Sequence, residues 1–211
     1  MTSTPPTDRR DALRRHVSTR VSSLQAGYLA ETSSAAASLA RLRRAVNSEP
    51  GSDPAVWSEI FEGLPEVLVG RTDSPSTHER AAHSAITLFA IHQQSKDIPM
   101  HQRGVGFGTA VRRLGVHTGN PDSVLRRFHA VGTATAFSEV LHHARGLITQ
   151  LRSARIPLDY GRFAVDLADL QFPRSADRVR LAWGRDYYRV EPDTSTTTEG
   201  ATDPLAEAST S

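Results

Sequence analysis

Cysteine is absent from the 211 residues, which rules out a disulfide framework and any thiolate metal site. That fits a reducing compartment, and a cytoplasmic protein is expected. Long apolar runs are missing as well: no stretch reaches the roughly 18 apolar residues that a membrane helix needs. The start, MTSTPPTDRRDALRR, has no apolar run behind its charges, so a secretory signal is not expected either. Period-two alternation is lacking, so nothing calls for strands. Lysine is almost missing: of 25 basic residues only Lys96 is lysine and the other 24 are arginine. Residues 191–211 lack positive charge altogether and carry five acids, Glu191, Asp193, Glu199, Asp203 and Glu207.

Removing that tail changes the charge balance. The first 190 residues hold all 25 bases against 18 acids (23 less the five), a net +7, where the whole chain is only +2. Arginine's planar fork suits phosphate, and a clustered basic face is the footprint of nucleic-acid binding. The tail itself is Thr/Ser-rich and nearly free of large apolar groups, so it cannot offset its chain entropy and reads as disordered. Residues 1–7 read the same way.

The remainder reads as all-α, two small packed helical bundles, with residues 8–98 as one helical half and 99–190 as the other. Leu13, Val17, Val21, Leu24 and Tyr28 form one stripe on a helix from about Asp8 to Ala30. A second helix runs from about Ser34 to Val46, and NSEPGSDP breaks it. Pro54 starts a short helix through Trp57 and Phe61. Another covers about Thr77 to Lys96, with Ala82, Ile86, Phe89 and Ala90 facing inward. In the second half a glycine-rich entry leads to a short helix through Val111 and Leu114. Asp122 or Ser123 then caps a helix through Phe128. Helices follow over about Thr133 to Arg152, from an Asp159 N-cap through Leu170, and over about Ser175 to Arg189.

Few residues look catalytic. His78, Glu79 and His83 miss the zinc-protease spacing, which needs two histidines four apart. Neighbours His142 and His143 diverge by about 100° on a helix. His92 and His101 flank a loop, but nothing completes a site around them. Asp166 and Asp169, three apart and off the apolar stripe, read as a solvated pair with Arg162 and Arg174 near in sequence. Gly104-x-Gly106-x-Gly108 matches neither nucleotide fingerprint; it reads as a tight loop where backbone approaches another chain or a strand. No metal, cofactor or catalytic residue is assigned. The candidate nucleic-acid contacts are instead Arg41, Arg43, Arg44, Arg103, Arg112, Arg113, Arg126 and Arg127. Most are short arginine pairs beside loops, which points to scattered backbone contacts rather than base reading.

The blocks GVGFGTAVRRLG, DSVLRRFHAV, IPLDYGRFAVDLADLQFP and DRVRLAWGRDYYR follow one another in an order and spacing similar to the CasB family, the small subunit of type I-E CRISPR Cascade. ASLARLRRAVNSEPGSDPAVW and ERAAHSAITLFAIHQQS resemble its first half, so the resemblance covers about residues 35–190. It implies two helix bundles and no enzymatic activity. It also implies a dimer within a complex of CasA, CasC, CasD, CasE, guide RNA and target DNA. There the family helps hold the guide–target heteroduplex and the displaced strand, while guide pairing reads the sequence. By position, Arg43, Arg44, Arg112, Arg113, Arg126 and Arg127 match basic positions of the family, and Tyr160, Leu167 and Trp183 match core positions. Two other readings share parts of the sequence: a free-standing helical regulator, and a metal-dependent hydrolase using Asp166, Asp169 and a histidine.

Overall fold

The computed structural model describes residues 6–189. The disorder expected for residues 191–211, and for 1–5 of the first seven, lies outside the described residues. Nine α-helices account for most of the described chain: α1 (Pro6–Leu29), α2 (Ser33–Arg44), α3 (Trp57–Phe61), α4 (Thr77–His92), α5 (Phe107–Thr118), α6 (Pro121–Thr133), α7 (Phe137–Ser153), α8 (Tyr160–Leu170) and α9 (Pro173–Tyr188). Single 3-10 turns follow α2, precede α3 and bridge α3 to α4. The all-α expectation holds. The extended pairing among the described residues is one isolated bridge between His101 and Leu158.

Local chemistry sets most of the boundaries. Ser76 and Glu79 form a capping box at α4: the Glu79 N–H donates to Ser76 Oγ (3.0 Å) and the Ser76 N–H to Glu79 Oε2 (2.6 Å). Asp159 caps α8 as expected, accepting from the Arg162 N–H at 3.0 Å. The cap of α6 is Asn120, not Asp122 or Ser123: its Oδ1 accepts from the Ser123 N–H, and Pro121 occupies the first turn. The α4 helix stops at His92 rather than Lys96.

Two groups of helices pack together. α1, α2, α4 and α8 form one; α5, α6, α7 and α9 form the other, and α4 also touches α7 while α8 also touches α9. One buried apolar cluster runs through both. Thus α8, which follows α7 in the chain, is packed between α1 and α4. Gly161 makes this possible: a Cβ there would meet the Arg14 carbonyl at 2.8 Å, and would overlap Ser18 Oγ. The expected inward face of α4 is too narrow. Every residue from Ala81 to His92 is buried, because α1, α2, α7 and α8 surround the helix. In the second group Phe107 packs on Trp183, Phe163 and Phe128 with centroids 4.9, 5.0 and 5.7 Å away.

Candidate nucleic-acid interface

Many arginines are committed to holding helices together. Arg10 and Arg178 both reach Asp169, Arg162 pairs with Asp186, and Arg20 ties α1 to Ser58 and Glu62. Arg41 belongs with these. Its Nη2 donates to Glu59 Oε1 (2.7 Å) and Ser38 Oγ (2.9 Å), and its Nε donates to the Ala55 carbonyl. Burial pushes the Glu59 carboxyl up, but hydrogen bonds from Ser38, Ser58 and Arg41 outweigh that and hold it below its ordinary value. Arg41 therefore serves a buried carboxylate and locks α2 to α3.

Other candidates are placed differently. Arg44, Arg103, Arg126 and Arg127 are exposed, and none has an acidic partner among the described residues. Arg126 and Arg127 line an open groove of about 410 Å³ between α6 and α7, opposite His142 and His143. The two histidines do share this groove, with ring centroids 5.4 Å apart, despite their divergence along the helix. Arg43 lies half-buried on α2 within electrostatic reach of Arg152 on α7. Burial lowers its pKa, Tyr28 opposes this, and the charges of Arg44 and Arg152 add to the lowering. Arg145, two turns before Arg152, donates to Asn47 Oδ1 at 2.9 Å, just beyond α2. So α7 has Arg126 and Arg127 along one flank and Arg43 and Arg44 near the other.

Arg112 and Arg113 are half-buried on α5 and do not line the α6–α7 groove. Arg112 lies near Tyr187 of α9. Arg103 occupies the turn before Gly104, near His101. The eight candidates thus fall into separate places on one chain. Arg80, Arg145 and Arg152 were not among them. The signal for the last two was present in the sequence, since a seven-residue spacing on a helix puts both on one face.

The remaining candidates prove structural. Asp166 is not solvated: it is 8% exposed and accepts from the Trp183 indole N–H at 2.8 Å. Burial pushes its carboxyl up to about 7, against the Trp183 hydrogen bond and the Arg162 charge. Arg162, which the sequence placed beside it, pairs with Asp186 instead. His92 and His101 do approach each other, around Tyr160. The Tyr160 hydroxyl is 3.0 Å from His92 Nδ1, and the Tyr160 N–H donates to His101 Nδ1 at 3.1 Å. Burial drives His92 down to about 3, so it is a neutral core group. The glycine run approaches its own chain: a Cβ on Gly108 would overlap the Trp183 carbonyl oxygen. No cluster of three or more His, Cys, Asp or Glu among the described residues could hold a metal. No helix there is long and apolar enough to cross a membrane.

A small two-bundle helical protein thus spends histidines and carboxylates on its core and leaves Arg44, Arg103, Arg126 and Arg127 exposed, with no acidic partner among the described residues. The chain belongs to the CRISPR-associated protein Cse2 family: the family's sequence profile matches residues 38–188. It is 36% identical to CasB from Thermobifida fusca, with a TM-score of 0.72 over 84% of this chain and 98% of that one. The fold is shared with a Cse2-family protein from Thermus thermophilus (20% identity, TM-score 0.61, 83% of this chain and 97% of that one). It is shared too with a chain of a CRISPR RNA-guided surveillance complex (22% identity, TM-score 0.64, 83% and 95%). No curated protein matches the sequence.

Proposed function

We propose that the chain is the non-catalytic small subunit of a type I-E CRISPR surveillance complex, assembling with CasA, CasC, CasD and CasE, guide RNA and a second copy of itself. In that setting it stabilises the guide RNA–target DNA heteroduplex and the displaced strand by arginine contacts to their backbones. The family and the likeness to a chain of an RNA-guided complex support membership. The observation that carries the contact role is the α6–α7 groove, where Arg126 and Arg127 stand exposed opposite two histidines, with no acidic partner among the described residues. Backbone contacts of this kind are indifferent to sequence and weaken with salt. Arg43, Arg44, Arg103, Arg112 and Arg113 are proposed as further contacts. Arg41 contributes by holding α2, which carries Arg43 and Arg44.

Changing Arg126 and Arg127 together to Ala tests this in the assembled complex. Thermal stability is expected to move by under about 0.5 kcal/mol, because both side chains are exposed. Target binding should weaken about equally for all sequences, and the salt dependence should flatten by about one unit per lost phosphate contact. Unchanged binding at every salt concentration would refute the groove's role.

A further inference from the structure

The ionisable residues that line the α6–α7 groove are Arg126, Arg127, His142 and His143, and no carboxylate among the described residues lines it. Two adjacent exposed guanidiniums without a counter-charge repel each other and attract an anion. The chain brings anions close by. The α9 helix ends at Tyr188 against the other flank of α6. There Tyr187 and Tyr188 share a cavity with Leu125, Phe128 and His129, and the Tyr187 ring stacks on Phe128 at 5.5 Å. Phe128 directly follows Arg127 in the chain. The end of α9 and the two groove arginines are therefore separated by the width of one helix, roughly 10–12 Å with side chains.

Residues 191–211 come next, with five carboxylates and no base. A chain spans at most about 3.3–3.6 Å per residue. Counted from Arg189, Glu191 reaches only about 7 Å, but Asp193 reaches about 14 Å and Glu199 about 35 Å. Every acid of the segment except Glu191 can thus cross α6 to Arg126 and Arg127. Tethered this closely, the carboxylates act at an effective concentration in about the millimolar range. Three arginines of α9 itself are nearer, but Arg178, Arg180 and Arg189 already pair with Asp169, Asp177 and Asp186.

We infer that the acidic segment 191–211 is an internal substitute for phosphate: its carboxylates occupy Arg126 and Arg127 in the free chain, and a nucleic-acid strand must displace them to enter the groove. The identity of the competitor rests on the function proposed above; the docking of the segment does not. One exposed carboxylate–arginine pair shifts an equilibrium by about 1.4- to 5-fold, so two such pairs weaken the binding of free nucleic acid about fivefold. A strand presented with many phosphates by an assembled complex still displaces them. The segment therefore filters adventitious strands and does not shut the groove.

The test keeps the full chain and neutralises the segment with Asp193→Asn, Glu199→Gln, Asp203→Asn and Glu207→Gln. The first readout needs no nucleic acid. Arginine side-chain Nε–Hε resonances are recorded for the wild type and the neutralised chain, with Arg126 and Arg127 assigned by their loss in Arg126→Ala and Arg127→Ala. Those two resonances should move on neutralisation, and that of Arg185, exposed on α9, should not. The second readout is binding of a labelled single-stranded DNA to the isolated chain. At about 50 mM salt the neutralised chain should bind about fivefold more tightly, and the gain should fade by about 300 mM as screening shortens the reach of charge. In a chain that also carries Arg126→Ala and Arg127→Ala the gain should fall below about twofold. The proposal is overturned if the Arg126 and Arg127 resonances stay put, or if Arg185 moves in their place. It is also overturned if the gain in DNA binding persists without the two arginines, since the segment would then act by net charge alone. Movement of the two resonances with no DNA binding by any variant would uphold the docking and refute the nucleic-acid reading of the groove.

Discussion

Replacing Asp166 with Asn should make the protein more stable at alkaline pH and less stable in acid, where the wild-type carboxyl is protonated and the amide's extra hydrogens lack partners. Asp166 lies under α9, buried, with the Trp183 indole N–H donating to it at 2.8 Å. Its carboxyl titrates at about 7 in the fold, against 3.8 for the ordinary group, and burial is the main cause. Between these values the folded chain keeps a proton that the unfolded chain has released. Stability from this group is therefore lost as pH rises through the window, and the full cost is reached above about 7. A gap of about 3 pH units corresponds to about 4 kcal/mol. Asparagine can still accept from Trp183 but carries no charge to desolvate. Its two amide hydrogens need partners, which offsets part of the gain, so about 1–3 kcal/mol is expected at about pH 8. The variant's advantage should grow by about 3 kcal/mol between about pH 5 and pH 8. Urea unfolding of both proteins at the two pH values measures this directly. If Asp166→Asn costs the same at both, the carboxylate is not strained by burial, and a metal-binding or catalytic role for it reopens.

Acid should act in the opposite sense through the histidines. His92 titrates at about 3 in the fold against 6.5 when free, so its contribution is complete above about 6.5 and is lost toward 3 at about 1.4 kcal/mol per pH unit. Burial lowers His16, His83 and His101 in the same direction. Because Asp166 offsets this in the wild type, Asp166→Asn should lose stability more steeply on acidification below about pH 6.5; a urea midpoint that stays flat in the variant would contradict the assignment. Gly108→Ala should destabilise by about 1–3 kcal/mol or more, since its methyl would collide with the backbone of α9 rather than with a movable side chain. Calorimetry showing an unchanged midpoint would mean that α5 and α9 separate easily.

The order and type of the helices were legible because they follow from local chemistry. The Leu13–Val17–Val21 stripe, the Asp159 cap and the proline and glycine breaks act within a few residues, and the structure follows them. The same holds for the core placement of Tyr160, Leu167 and Trp183, all buried. The cap of α6 was misplaced by two or three residues because Asn120, Asp122 and Ser123 can all cap, and only the turn around Pro121 selects one.

Local pattern could not say which polar groups would meet. Asp166 and Asp169 look alike in sequence, yet one lies beneath Trp183 and the other is held by Arg10, which is 159 residues away. Arg41 and Arg44 are one helical turn apart, but Glu59 approaches only the first. His142 and His143 point apart along α7, and it takes α6 alongside to give both a place in one groove. Composition, helix periodicity and short motifs suffice for an arginine-rich, cysteine-free helical chain and for the family its motifs resemble. Tertiary packing alone selects which arginines meet buried carboxylates, as Arg41 meets Glu59, and which, like Arg44, have none beside them among the described residues. Ion pairing depends on distances of a few ångströms between segments far apart in the chain, and helix periodicity carries no information about them.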